Sequence, residues 1–67
     1  MPSSPMLTVG MPVYNADRFL AKSLDSILSQ TFTDFELLIS DNASTDRTEE
    51  ICQEYASRDK RIRYFRN

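Results

Sequence analysis

Asp41 and Asn42 follow directly on an apolar run, Phe35-Glu36-Leu37-Leu38-Ile39-Ser40, where a carboxylate and an amide could meet the edge of a flat heterocycle. A carboxylate only accepts hydrogen bonds, whereas an amide accepts and donates. Uracil offers an N–H between two carbonyls, so the pair suits a pyrimidine edge. An Asx-turn that closes the loop would use the same two residues without a ligand. Tyr14 follows an earlier apolar run and reads either as a cover for a sheet edge or as a ring beside a base, its hydroxyl free to bond. Asn15 suits a helix N-cap and needs no ligand to explain it. Ser44, Thr45 and Asp46 open a helix whose N–H groups could hold phosphate, but the Asp46 charge would repel it, and capping is the better account.

Other chemistries are excluded by residue type. With no histidine there is no imidazole base, no Ser-His-Asp or Cys-His relay and no Cys/His zinc site. The single glycine, Gly10, rules out a G-x-G-x-x-G dinucleotide loop and a Walker A phosphate cradle. Cys52 has no partner for an intrachain disulfide and falls on an apolar helix face, which reads as core. No D-x-D or E-x-D pair is present to hold a divalent ion, and Asp41 and Asp46 are separated by a turn.

These residues need elements to position them. Met6 to Met11 reads as a strand stopped by Pro12, with Pro12 to Asn15 as its exit loop. Asn15 would cap a helix carrying Leu20, Leu24, Ile27 and Leu28 and ending near Gln30. Phe35 to Ser40 reads as a strand buried on both faces. Asp46, with Glu49 three residues on, resembles a capping box for a second helix with Ile51, Cys52, Tyr55 and Ala56 on its apolar stripe. Arg61 to Phe65 alternates as a half-covered third strand, with Ile62 and Tyr64 on one side. The order predicts an α/β fold: a β-α-β-α-β, Rossmann-like, three-stranded parallel sheet. A ligand crevice in such a sheet lies beyond the carboxyl ends of the strands, where the Pro12 to Asn15 loop, the Asp41 to Thr45 loop and Arg66-Asn67 all arrive.

At 67 residues the chain is at most one domain and small for a stable core. Residues 1–5 read as a disordered tail and residues 6–67 as a single unit. A composition 40% apolar and 27% charged belongs to a globular chain. The net charge of −2 is uneven: Arg58, Lys60, Arg61, Arg63 and Arg66 against Asp59 give +4 over the last ten residues. That footprint is too short for a nucleic-acid binder, and a solvated rim explains it. Neither a signal peptide nor a membrane span is legible, which leads to the expectation of a cytoplasmic chain with a reduced thiol.

Three segments together resemble the opening of family 2 glycosyltransferases of the GT-A fold: Val9-Gly10-Met11-Pro12-Val13-Tyr14-Asn15, Ser26 to Phe32, and Phe35 to Asp46 ending in Ser40-Asp41-Asn42-Ala43-Ser44-Thr45-Asp46. Arg61 to Asn67 fits as well. The resemblance implies that the chain is the N-terminal nucleotide-binding part of such an enzyme, transferring a sugar from a nucleotide-diphosphate donor to an acceptor hydroxyl with inversion. It implies a nucleotide site at Pro12, Val13, Tyr14, Asn15, Asp41 and Asn42, with a UDP-sugar favoured. Where the family often has Asp-Asp this chain has Asp41-Asn42, which leaves open which of the two meets the base and whether the preference moves from uracil. The family's D-x-D motif, its manganese or magnesium ion, its acceptor site and its catalytic base have no counterpart in these residues. The resemblance thus implies a divalent cation for the full-length enzyme, none bound by this chain, and no catalytic residue here. It also implies a setting in cell-envelope polysaccharide synthesis, at the inner face of the membrane. A self-associating, non-catalytic assembly module is the alternative, because three strands and two helices leave sheet edges and a face uncovered. A signalling receiver domain does not fit, lacking five strands and an acidic pair after the first.

Overall fold

The structure is a computed structural model and describes residues 7–31 and 33–67. The expected tail, 1–5, and Met6 lie outside the described residues. Five elements follow in order: β1 (Leu7–Val13), α1 (Leu20–Leu28), β2 (Phe35–Asp41), α2 (Thr48–Arg58) and β3 (Ile62–Arg66). The strands form one parallel sheet in the order β1-β2-β3. The register pairs Val13 with Asp41 and Asp41 with Arg66, so all three strands end on one line.

Strand β1 runs through Pro12 instead of stopping before it. The Val13 carbonyl accepts from Asn42 N–H at 3.0 Å, so the neighbouring residue Pro12 turns its ring nitrogen to the free edge, where no ladder bond is lost. Helix α1 starts five residues later than Asn15. Ala16 O instead accepts from the N–H groups of Phe19 and Leu20 in a preceding turn, and the helix has no side-chain cap. Asn15 sits at φ 46°, and its side chain bonds to a different loop. At α2 the expected capping box of Asp46 with Glu49 is not formed: the N-cap position is Arg47, without a side-chain cap, and Asp46 Oδ1 instead accepts from Thr48 N–H, two residues on, at 2.9 Å.

Both helices lie on the same face of the sheet and touch there, Tyr55 of α2 donating its hydroxyl to Asp25 of α1 at 2.8 Å. Between them and the sheet lies the core of Val13, Leu20, Leu24, Phe35, Leu37, Ile39, Cys52 and Ile62. Burying a side chain such as Leu24 or Leu37 stabilises by about 1.5 to 3 kcal/mol. The opposite face carries Gly10, Pro12, Leu38 and Phe65, and Arg63 reaches across it to Glu36 at 2.9 Å. Among the described residues strand β2 is therefore covered on one face, not on both as its apolar density suggested. Leu38 is half-buried and Ser40 exposed.

Candidate functional site

At the carboxyl ends of the strands the backbone ladder continues one step beyond the sheet. Asn42 N–H donates to Val13 O at 3.0 Å, and Asn67 N–H to Asp41 O at 2.9 Å. Tyr14 therefore lies next to Asn42, and both side chains are exposed. The expected convergence of the strand ends is met, and of the Asp41-Asn42 pair only Asn42 shares the exposed rim with Tyr14.

The loop after β1 is joined to the loop after β2 by four hydrogen bonds and to the first residue of α2 by a fifth. Asn15 N–H donates to Ser44 Oγ at 2.9 Å, while Asn15 Oδ1 accepts from Thr45 N–H at 2.8 Å. Ala16 N–H donates to Thr48 Oγ1 at 2.8 Å. Asp17 N–H donates to Asp46 Oδ2 at 3.2 Å, and Arg47 N–H to Asp17 Oδ2 at 3.3 Å. Asn15, Ser44, Asp46 and Thr48 thus connect the loops, a role that reading either loop alone could not reveal. The buried Ser44 and Thr48 have every polar side-chain atom partnered.

Asp41 points the opposite way from Asn42. Its side chain is fully buried on the helix-covered face. Oδ1 accepts from Ser44 N–H at 2.9 Å, and Oδ2 accepts from the Tyr64 hydroxyl and from Arg66 Nη1 at 3.3 Å. Burial alone would raise its pKa. The bonds from Ser44 and Tyr64, with the Arg66 charge, outweigh that and hold the carboxyl below its ordinary range. The same arrangement pushes Tyr64 up to about 12, through burial and then the bond to Asp41. Burial, and after it the Asp41 charge, pushes the Cys52 thiol up to about 11. Cys52 is core, as its place on the apolar face indicated.

Of the six residues singled out in the sequence, Pro12, Tyr14, Asn15 and Asn42 are exposed along the rim, whereas Val13 and Asp41 turn into the core. Tyr64 and Arg66 were missed as members of the Asp41 network. The available signal was the alternation of β3, which puts both residues on the covered side opposite Ile39 and Asp41. Four of the five basic residues of the tail are ion-paired: Arg58 with Glu54, Arg61 with Asp59, Arg63 with Glu36, and Arg66 with Asp41 and Glu49. Among the described residues, no three Asp, Glu or Cys side chains gather where they could hold a metal ion. Asp41, Asp46 and Asp17 already accept backbone N–H groups, so this rim does not fit a divalent cation by itself. An apolar cleft lined by Leu7, Val9, Ile27, Gln30 and Phe35 lies at the other end of the strands and offers one amide for polar contact.

Residues 8–67 match glycosyl transferase family 2. The chain belongs to this family. It is 45% identical over 59 residues to glycosyltransferase GlyA of Streptococcus pneumoniae, covering 88% of this chain and 8% of that protein. It is 40% identical over 63 residues to the GalNAc(5)-diNAcBac-PP-undecaprenol beta-1,3-glucosyltransferase of Campylobacter jejuni, covering 94% of this chain and 20% of that one. Among solved structures it resembles the mannosyltransferase PcManGT of Pyrobaculum calidifontis, in complex with GDP-Man and Mn2+, with a TM-score of 0.83 and 26% identity over 97% of this chain and 20% of that one. The chain therefore spans a fifth or less of the length of these relatives. The fold is the opening portion of the GT-A architecture, and the family is one of glycosyl transfer. Among the described residues, no helix is long and apolar enough to cross a membrane.

Proposed function

We propose that this chain is the donor-nucleotide-binding part of a glycosyltransferase, and that Pro12, Tyr14, Asn15 and Asn42 line the nucleotide site. The observation that carries the reading is the bond from Asn42 N–H to Val13 O, which brings the backbone of Tyr14 and that of Asn42, two exposed residues, together at the strand ends. Such a pair can flank a base and read its edge at once. Asn42, not Asp41, is the edge reader, because both Asp41 oxygens are already taken inside the fold. An amide can accept from uracil N–H and donate to the adjacent carbonyl, so a UDP-sugar is the donor of choice. Guanine presents a similar N–H and carbonyl pair, and the GDP-Man complex of the structural neighbour makes guanosine diphosphate the competitor to test.

Inverting transfer requires a base to take the acceptor's proton and positive charge to stabilise the departing diphosphate. The rim residues supply neither, since none of Pro12, Tyr14, Asn15 and Asn42 is a carboxylate, lysine or arginine. In this reading the chain binds and orients the nucleotide without transferring sugar by itself. The undecaprenol-linked saccharide in the name of the Campylobacter relative supports cell-envelope polysaccharide synthesis as the setting. Calorimetric titration with uridine and guanosine diphosphates tests the site. Asn42→Ala and Tyr14→Ala should each weaken the tighter nucleotide about twofold to tenfold, the worth of one neutral hydrogen bond or a comparable ring contact. Affinities equal to that of the unaltered protein in both variants would overturn it. The uncovered sheet face with Leu38 and Phe65 favours self-association as a second reading, to be checked by sedimentation.

A further inference from the structure

The Asp41 carboxylate, at the end of β2, takes hydrogen bonds from β3 and from the loop that follows β2. Ser44 N–H closes onto Oδ1 at 2.9 Å, fixing a turn whose middle residues are Asn42 and Ala43, with Ala43 at φ 55°. That turn directs Asn42 out to the rim while Asp41 points inward. On the other side, Oδ2 receives the Tyr64 hydroxyl and Arg66 Nη1, both from β3. Ser44 in turn accepts from Asn15 N–H through its hydroxyl. A continuous path of hydrogen bonds therefore runs from β3, through Asp41 and Ser44, to the loop after β1.

Resting on the nucleotide-binding reading above, we infer that Tyr64 and Arg66 are positioning residues. They hold Asp41 so that the turn presents Asn42 to the base in one orientation, and base selectivity depends on the third strand although neither side chain lies on the rim. With two donors occupying Oδ2, the carboxylate cannot rotate without losing both, and Oδ1 stays aimed at Ser44 N–H. Removing the Tyr64 hydroxyl leaves only the longer Arg66 contact on that oxygen.

Tyr64→Phe tests this with two readouts. In amide hydrogen exchange, protection at Ser44 should fall about threefold to tenfold, the worth of one buried hydrogen bond, while Leu37, bonded to Arg61 O at 2.7 Å in the sheet, stays unchanged. In titrations with uridine and guanosine diphosphates, Tyr64→Phe should narrow the ratio of the two affinities, and it should do nothing further on an Asn42→Ala background. Arg66→Gln, on a partly exposed side chain, should reproduce the pattern and serves where Tyr64→Phe folds poorly. Unchanged Ser44 protection overturns the inference. So does an equal loss of affinity with and without the Asn42 amide, because a residue that only stabilises the fold would act the same in both. If Asn42→Ala itself changes neither affinity, the nucleotide reading and the selectivity role fall together, and the Ser44 exchange still decides whether β3 orders the turn.

Discussion

Asp41→Asn keeps the shape of a buried side chain and removes its charge, so it isolates what the carboxylate contributes. The amide oxygen can still accept from Ser44 N–H, but its NH2 group then faces the Arg66 guanidinium and the Tyr64 hydroxyl. The hydroxyl can turn to accept; the guanidinium cannot. Arg66 is 36% exposed, so its share is discounted for solvent. What remains is about one charge-assisted hydrogen bond, or about 2 kcal/mol at neutral pH. For a chain of this size that lowers the melting temperature by about 8 to 16 °C. The loss also depends on pH in a defined direction. Because the carboxyl is held below its ordinary value of 3.8 in the fold, the unfolded chain binds the proton more readily. The contribution of Asp41 is complete above that value and is lost as the pH falls through the lower folded value. Urea unfolding of both proteins, followed by circular dichroism from pH 7 to pH 2.5, should show a gap that holds to about pH 4 and closes below it. A gap that stays constant across the range, or no gap at pH 7, would refute the assignment of Asp41 as a charged structural hub.

Ala43 at φ 55° occupies a region that costs an ordinary L-residue about 1 to 2 kcal/mol. Ala43→Gly relieves that at some cost in unfolded-chain entropy, and the urea midpoint should rise by an amount equivalent to about 0.5 to 1 kcal/mol. Cys52 is fully buried, with its thiol raised to about 11, so a thiol reagent at pH 8 should label it only as fast as the protein opens and at once in denaturant. Leu24→Ala, at a fully buried position, should cost about 2 to 5 kcal/mol, a large part of the stability available to 67 residues, and thermal melts will show it.

Element types and order were legible because they depend on local periodicity. Leu20 and Leu24 fall one helical turn apart, and Phe35 to Ser40 is a short apolar run of strand length. The convergence of the loops followed from topology alone. What escaped were features set by partners distant in sequence. Asn15 is a sound N-cap in isolation, but Thr45 N–H, 30 positions away, takes its oxygen, and the helix begins five residues later. Pro12 ends a central strand but not an edge strand, and the sequence does not state which β1 is. Asp41 and Asn42 are neighbours of similar shape, and only the pleat, with Tyr64 and Arg66 inside it, separates a buried acid from an exposed amide.

The reciprocal bonding of Asn15 with Ser44 and Thr45, and of Asp17 with Asp46 and Arg47, has a thermodynamic corollary. Two loops already fastened to each other have little freedom left to surrender when something settles against them, so the entropic toll of capture is largely met at folding. Substitutions on one loop should accordingly be felt on the other, and under the proposed nucleotide-binding role the rim should behave toward its ligand as a preset mould more than as a closing hand.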